Sequence, residues 1–181
     1  MKTRELYGII DSFCPKTLSC SWDNDGIMVS PSLDAEVKRV LLSLDATYEA
    51  VSYAADYGYD TLITHHPMLF RGAKSVNETT LSGRRIIRAL SSGVTVMSFH
   101  TRLDACEGGV NDELMNRLGF TPTCAFGDEE SPTLARIADI PPMTALELAC
   151  LVRDKLGCTA VRLNGKADAV VRKIGVCGGD G

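Results

Sequence analysis

The runs RVLLSL at 39–44, TLIT at 61–64 and VTVMSF at 94–99 decide the fold. Each has the length of a strand and is apolar at both odd and even positions, the pattern of strands covered on both faces of a sheet. Helix-period stretches separate them. After the first run, Thr47 stands as an N-cap ahead of Ala50, Val51 and Ala54 on one face, with Gly58 as terminator. After the second, Ser82 is read as the cap of a helix carrying Ile86, Ile87 and Leu90 on one face and stopping at Gly93. After the third, Asn111 caps a helix with Leu114, Met115 and Leu118, closed by Gly119. Strands alternating with helices in this order predict an α/β chain with mostly parallel or mixed sheets covered by helices.

Upstream, MKTRELYGIIDSF at 1–13 reads as an amphipathic helix. Downstream, TPTCAFGDEESP at 121–132 follows neither period and is rich in turn formers, so we expect two lobes, 1–126 and 127–181. The clearest element of the second lobe is TALE at 144–147, a capping box in which Thr144 and Glu147 satisfy each other's backbone N–H groups. Its helix places Leu148, Leu151 and Val152 on one face and ends at Gly157, with short strands expected at 134–140, 160–163 and 173–176. The last strand runs into Gly178-Gly179-Asp180-Gly181, where such a fold would begin another helix. We therefore expect the second lobe to be incomplete at its C-terminal end.

The 181 residues, 45% hydrophobic and 23% charged, are globular in composition, which excludes a disordered, collagen-like or coiled-coil chain. A net charge of 19 − 23 = −4 supplies no general basic field for nucleic acid. No apolar run reaches the roughly 18 residues of a membrane span, and the N-terminal amphipathic helix, with its acidic residues, is unlike a signal peptide, so a cytoplasmic location is expected. The seven cysteines (14, 20, 106, 124, 150, 158, 177) never form CxxC; they are read as reduced and mostly buried, with no thiolate zinc site among them.

All three histidines, His65, His66 and His100, fall at the expected carboxyl ends of two strands, the end at which open α/β sheets bind ligands. The first two stand in ITHHP, and the third opens His100-x-x-x-Asp104, followed by Gly108-Gly109-Val110-Asn111-Asp112. Imidazole with carboxylate suits divalent zinc, iron, manganese or cobalt. Consecutive histidines on an extended backbone point to opposite sides, which favours two ions over one. Pro67 holds His66 toward that extended geometry. His100 is read either as a ligand or as a residue orienting Asp104 or a bound water. Gly108 and Gly109 either close a turn or open an anion site at the following helix, where Asp112 opposes an anion. Trp22 and the turn Asp23-Asn24-Asp25-Gly26 are read as packing and turn chemistry.

Taken together, Ser21-Trp22-Asp23-Asn24-Asp25-Gly26-Ile27, Ile63 to Phe70 (ITHHPMLF), His100-Thr101-Arg102-Leu103-Asp104 with Gly108-Gly109-Val110-Asn111-Asp112, and Val176-Cys177-Gly178-Gly179 resemble the Nif-three-like family. Its members are also called dinuclear metal centre hexameric proteins or GTP cyclohydrolase 1 type 2 homologues. The resemblance runs the length of the chain. It implies a two-lobed α/β fold, a toroidal homohexamer and two divalent metal ions per subunit in the complete protein, with His65, His66 and Asp104 as ligands. It further implies a metal-dependent hydrolase of a small phosphorylated or nucleotide-like substrate, or else a non-catalytic metal-binding or scaffold protein. Two departures stand out: Arg102 occupies a position where the family usually has Asn, and no histidine follows His100 to match the family's remaining His and Glu ligands.

Overall fold

In the computed structural model, residues 1–129 and 133–179 are described, and two compact units divide between Leu103 and Asp104. The first unit holds a four-stranded sheet of β1 (Gly26–Val29), β2 (Val40–Ser43), β3 (Thr61–Thr64) and β4 (Thr95–Ser98). Its order is β1-β4-β3-β2, with β2, β3 and β4 parallel and β1 antiparallel to β4. The expected mixed sheet is present, and all three runs that predicted it form strands. They are not all buried on both faces, however. β4 is fully buried in the middle of the sheet, whereas β2 lies at an edge and alternates, leaving Leu42 74% exposed.

Helix α1 (Thr3–Phe13) precedes the sheet, and α2 (Tyr48–Asp56) and α3 (Leu81–Ser91) link the parallel strands. The Thr47 hydroxyl caps α2 by accepting from the Ala50 N–H. The core of this unit joins Val51 and Ala54 of α2, Ile86 and Ala89 of α3, and Leu62, Val94 and Val96 of the strand region.

Helix α3 corrects the sequence reading twice. Its cap is Thr80, which accepts from the Gly83 N–H, and its buried face is Gly83, Ile86 and Ala89, while Ile87 and Leu90 are exposed. Gly83 explains the rotation, because its missing Cβ lets the first turn press against the preceding segment. A methyl there would stand 2.0 Å from the Asn77 carbonyl oxygen and 2.8 Å from the Asn77 nitrogen. Gly→Ala inside a helix normally gains about 1 kcal/mol. Here a backbone collision of that depth outweighs the gain, so Gly83→Ala is expected to lower stability by about 1–3 kcal/mol, measured by urea denaturation. A stabilised variant would refute the packing account.

The second unit carries an antiparallel sheet in the order β5-β6-β7, built from Cys124–Phe126, Ala135–Thr144 and Val170–Val176. Helices α5 (Val110–Leu118) and α6 (Ala145–Leu156) accompany it, and Met115, Ala138, Ile140 and Ile174 form its core. Because α5 buries Met115 in that core, it belongs with this sheet, and the division falls earlier than the expected 126/127. Of the turn-rich stretch at 121–132, the last three residues lie outside the described ones, as do residues 180 and 181 of the C-terminal glycine run.

The capping box at Thr144 and Glu147 forms as expected, and Gly119 and Gly157 close α5 and α6 in the left-handed conformation. Two expectations fail in this unit and a third across the chain. The cap of α5 is Gly109, and Asn111 sits inside the helix, fully buried. Its amide donates to the carbonyls of Asp104 and Leu134 and accepts from the Gly178 N–H, so it ties three separate segments rather than ending a helix. No strand forms at 160–163, where the side chains are exposed and there is no buried face to reward pairing. Finally, only Cys14, Cys20 and Cys106 of the seven cysteines are buried.

Candidate metal centre

Because β3 and β4 are parallel neighbours with Thr64 opposite Ser98, their carboxyl ends finish side by side. The Thr64 and Ser98 hydroxyls share a 2.9 Å hydrogen bond, and the Phe99 N–H donates to the Thr64 carbonyl. His65 and His66 follow β3 directly, and His100 follows β4 after Phe99. Their ring centroids lie 5.0, 5.2 and 5.7 Å apart in pairs, and one nitrogen of each lies within 4.8 Å of the others.

All three rings are anchored through the same atom. His65 Nδ1 lies 3.1 Å from the Phe99 carbonyl, His66 Nδ1 2.8 Å from Asp45 Oδ1, and His100 Nδ1 3.0 Å from Asp23 Oδ1. A carbonyl or carboxylate oxygen can only accept, so each Nδ1 carries a proton, which in a neutral imidazole makes Nε2 the lone-pair atom. This is the arrangement in which imidazole presents itself to a metal. Three imidazole nitrogens this close together are the donor type that first-row divalent ions take. The donor set therefore fits a first-row divalent ion.

The sequence expectation that His65 and His66 would diverge is corrected. β3 ends at Thr64, so both residues lie past the extended backbone. The Thr64 hydroxyl donates to the His66 carbonyl, and the His66 N–H donates to the Leu44 carbonyl, which turns both rings toward one point.

Asp23, read as turn chemistry, holds His100 and has a buried side chain. It also accepts from the Thr101 backbone N–H at 3.1 Å and hydroxyl at 2.6 Å. Burial acts to raise its pKa, but the hydrogen bonds from His100 and Thr101 outweigh it and hold the group at about 2. Asp45 was also missed; its signal was a carboxylate just past the end of the strand neighbouring the histidines.

Asp104 occupies the fourth position of the short helix α4 (Thr101–Ala105), four residues after His100, and begins the second unit. Within that unit Cys177 is pushed up, first by burial and then by the Asp104 carboxylate, which disfavours a thiolate there. Arg102 is fully buried against carboxylates of the chain itself, so the cation next in sequence to the site residues is already neutralised. The start of α5 is likewise committed. Asp112 accepts from the Gly108 N–H at 2.7 Å and pairs with Arg136 at 2.5 Å, which assigns Gly108 and Gly109 to turn formation rather than anion binding.

Among the described residues no helix is long and apolar enough to cross a membrane. A GTP cyclohydrolase 1 type 2 homolog of Clostridium perfringens is 33% identical, covering all of this chain and 70% of the relative. One of Clostridium acetobutylicum is 30% identical, covering all of this chain and 69% of the relative. The crystal structure of a Staphylococcus aureus hypothetical protein superposes with a TM-score of 0.89 at 25% identity, covering all of this chain and 73% of that one. A family profile described as Duf34/NIF3 (NGG1p interacting factor 3) matches residues 1–181. The histidine cluster and the first sheet thus sit in a chain that belongs to the Duf34/NIF3 family.

Proposed function

We propose that the protein binds divalent metal in a dinuclear centre and acts as a metal-dependent hydrolase of a small phosphorylated or nucleotide-like substrate. His65, His66 and His100 would supply ring nitrogens, and Asp104 stands here only as the carboxylate ligand that the family resemblance implies. The observation that carries metal binding is the common anchoring of three Nδ1 atoms, with one nitrogen of each ring within 4.8 Å of the others at the carboxyl edge of a sheet; the count of two ions rests on the family resemblance. A bound ion would supply an acidified water, lowering its pKa toward about 7. The chain's own part is to hold the imidazoles still. Asp45 and Asp23 stabilise the Nδ1 protons, and the Thr64–Ser98 bond keeps the two strand ends in register.

The test is metal content followed by phosphodiester and GTP hydrolysis, for wild type, His65→Ala and Asp104→Ala. Stoichiometric divalent metal in the wild type, and turnover that falls in both variants, is the expected result. Absence of stoichiometric metal would overturn the whole reading, and bound metal with turnover unchanged in the variants would overturn the hydrolase.

A further inference from the structure

Two large aromatic side chains stand beside the imidazoles and face solvent. Trp22, the only tryptophan in the chain, is 54% exposed, and Phe70 is 48% exposed. They come from different loops, one before β1 and one after β3. Their rings meet edge to face at 6.1 Å, and each meets the His100 ring edge-on, at 6.4 and 6.2 Å.

Neither loop is loosely placed. The Asn24 side chain donates to the Leu69 carbonyl, joining the two loops one residue from Phe70. On either side of Trp22, the Cys20 N–H donates to the Thr101 hydroxyl and Asp23 accepts from His100 and Thr101. A tight turn, in which the Asp23 N–H donates to the Cys20 carbonyl, carries Trp22 between these two fixed points. Two half-exposed aromatic rings held in place next to a polar cluster leave π surface open to water where burial would be favourable.

We infer that Trp22 and Phe70, their rings inclined at 67°, form a cornered aromatic platform on which the planar heteroaromatic ring of a small ligand stacks against one face and meets the other ring at its edge, while its polar end reaches the imidazole cluster. Flat π faces reward a flat ring over an aliphatic one, and base-on-aromatic stacking is tolerant of which base is offered. The chain's net charge of −4 favours a single small anion over a nucleic-acid strand. The inference deepens the reading above by naming the ring class of the substrate, and it is tested without relying on bound metal.

Because Trp22 is the sole tryptophan, emission excited near 295 nm reports on this platform alone. The full chain, in chelator-treated and in metal-loaded form, is titrated with guanosine monophosphate and, separately, with ribose 5-phosphate, which has a phosphate but no ring. Saturable quenching by the nucleotide in either form, with none from the sugar phosphate, is the expected result. Phe70→Ala should then weaken the nucleotide about tenfold, and Phe70→Tyr, which keeps a ring, should restore most of it. Phe70 is half exposed, so neither variant threatens the fold. Equal responses to both probes, no saturable response, or emission that tracks protein concentration instead of probe would overturn the platform. That last outcome would mean a second copy covers the rings. Failure here leaves the metal assay untouched, so the two readings fall separately.

Discussion

Arg102→Met is expected to cost about 3–5 kcal/mol of stability, because it leaves the buried Asp25 carboxylate with only the half-exposed Lys16 as counter-charge. The guanidinium and the Asp25 carboxyl are both fully buried. Arg102 Nε donates to Asp25 at 3.0 Å, Nη1 to Asp11 at 2.7 Å and to the Cys14 carbonyl, and Nη2 to the Tyr7 hydroxyl. Its flat face lies 4.7 Å above the Phe99 ring and 5.5 Å from Tyr7. Methionine retains much of that apolar contact, so the loss reports charge and hydrogen bonding. Asp25 would retain the Ser19 hydroxyl, Lys16 and the His100 N–H, which soften the penalty without replacing a buried counter-charge.

The diagnostic is a double-mutant cycle with Asp25→Asn, followed by urea denaturation. Once the carboxylate is neutral, removing the guanidinium should hurt much less, so the double variant should cost clearly less than the sum of the singles. Additive losses would mean that Arg102 acts by packing alone. A loss below about 1 kcal/mol for Arg102→Met would mean that the pair roughly balances its own desolvation.

Strands and caps whose signal is local were legible, and features settled by distant partners were not. TLIT at 61–64 matches β3, and Thr47, Thr144 with Glu147, Gly119 and Gly157 each act within one helical turn of where they stand. β1 was hidden because it begins at Gly26, whose φ of +114° reads as a turn, and because its antiparallel partner β4 lies some seventy residues away. The inward face of α3 was set by backbone packing at Gly83, against the pull of Ile87 and Leu90. The candidate site divides in the same way. A histidine after a buried strand is visible as a pattern, so His65, His66 and His100 could be placed at one sheet edge before any coordinates. The residues that orient them could not, since Asp45 is 21 positions from His66 and Asp23 is 77 from His100. The partners of Arg102 were hidden for the same reason, its carboxylates lying 77 and 91 positions earlier.

Asp23→Ala is expected to weaken divalent-metal binding about 10–100-fold, although Asp23 would touch no metal. Its carboxylate holds the His100 Nδ1 proton and thereby keeps the lone pair on Nε2, facing the other two imidazoles. Without it, His100 is free to take the other tautomer or to rotate, and part of the binding energy goes into restoring the productive orientation. Asp23→Asn keeps an oxygen acceptor and should lose only a few-fold. In a His100→Ala background, Asp23→Ala should add almost nothing, because its effect passes through that ring. Nitrogen-15 imidazole spectra give an independent readout: the wild type should show His100 protonated at Nδ1, and Asp23→Ala should show a mixture of tautomers. The pH dependence has a defined sign. Asp23 is held at about 2, below its ordinary value, so its stabilisation is complete above pH about 4 and is lost as pH falls toward 2. Equal losses for Asp23→Ala and Asp23→Asn, or a loss that persists in the absence of His100, would assign Asp23 to the shape of the turn at 20–24 and not to the imidazole.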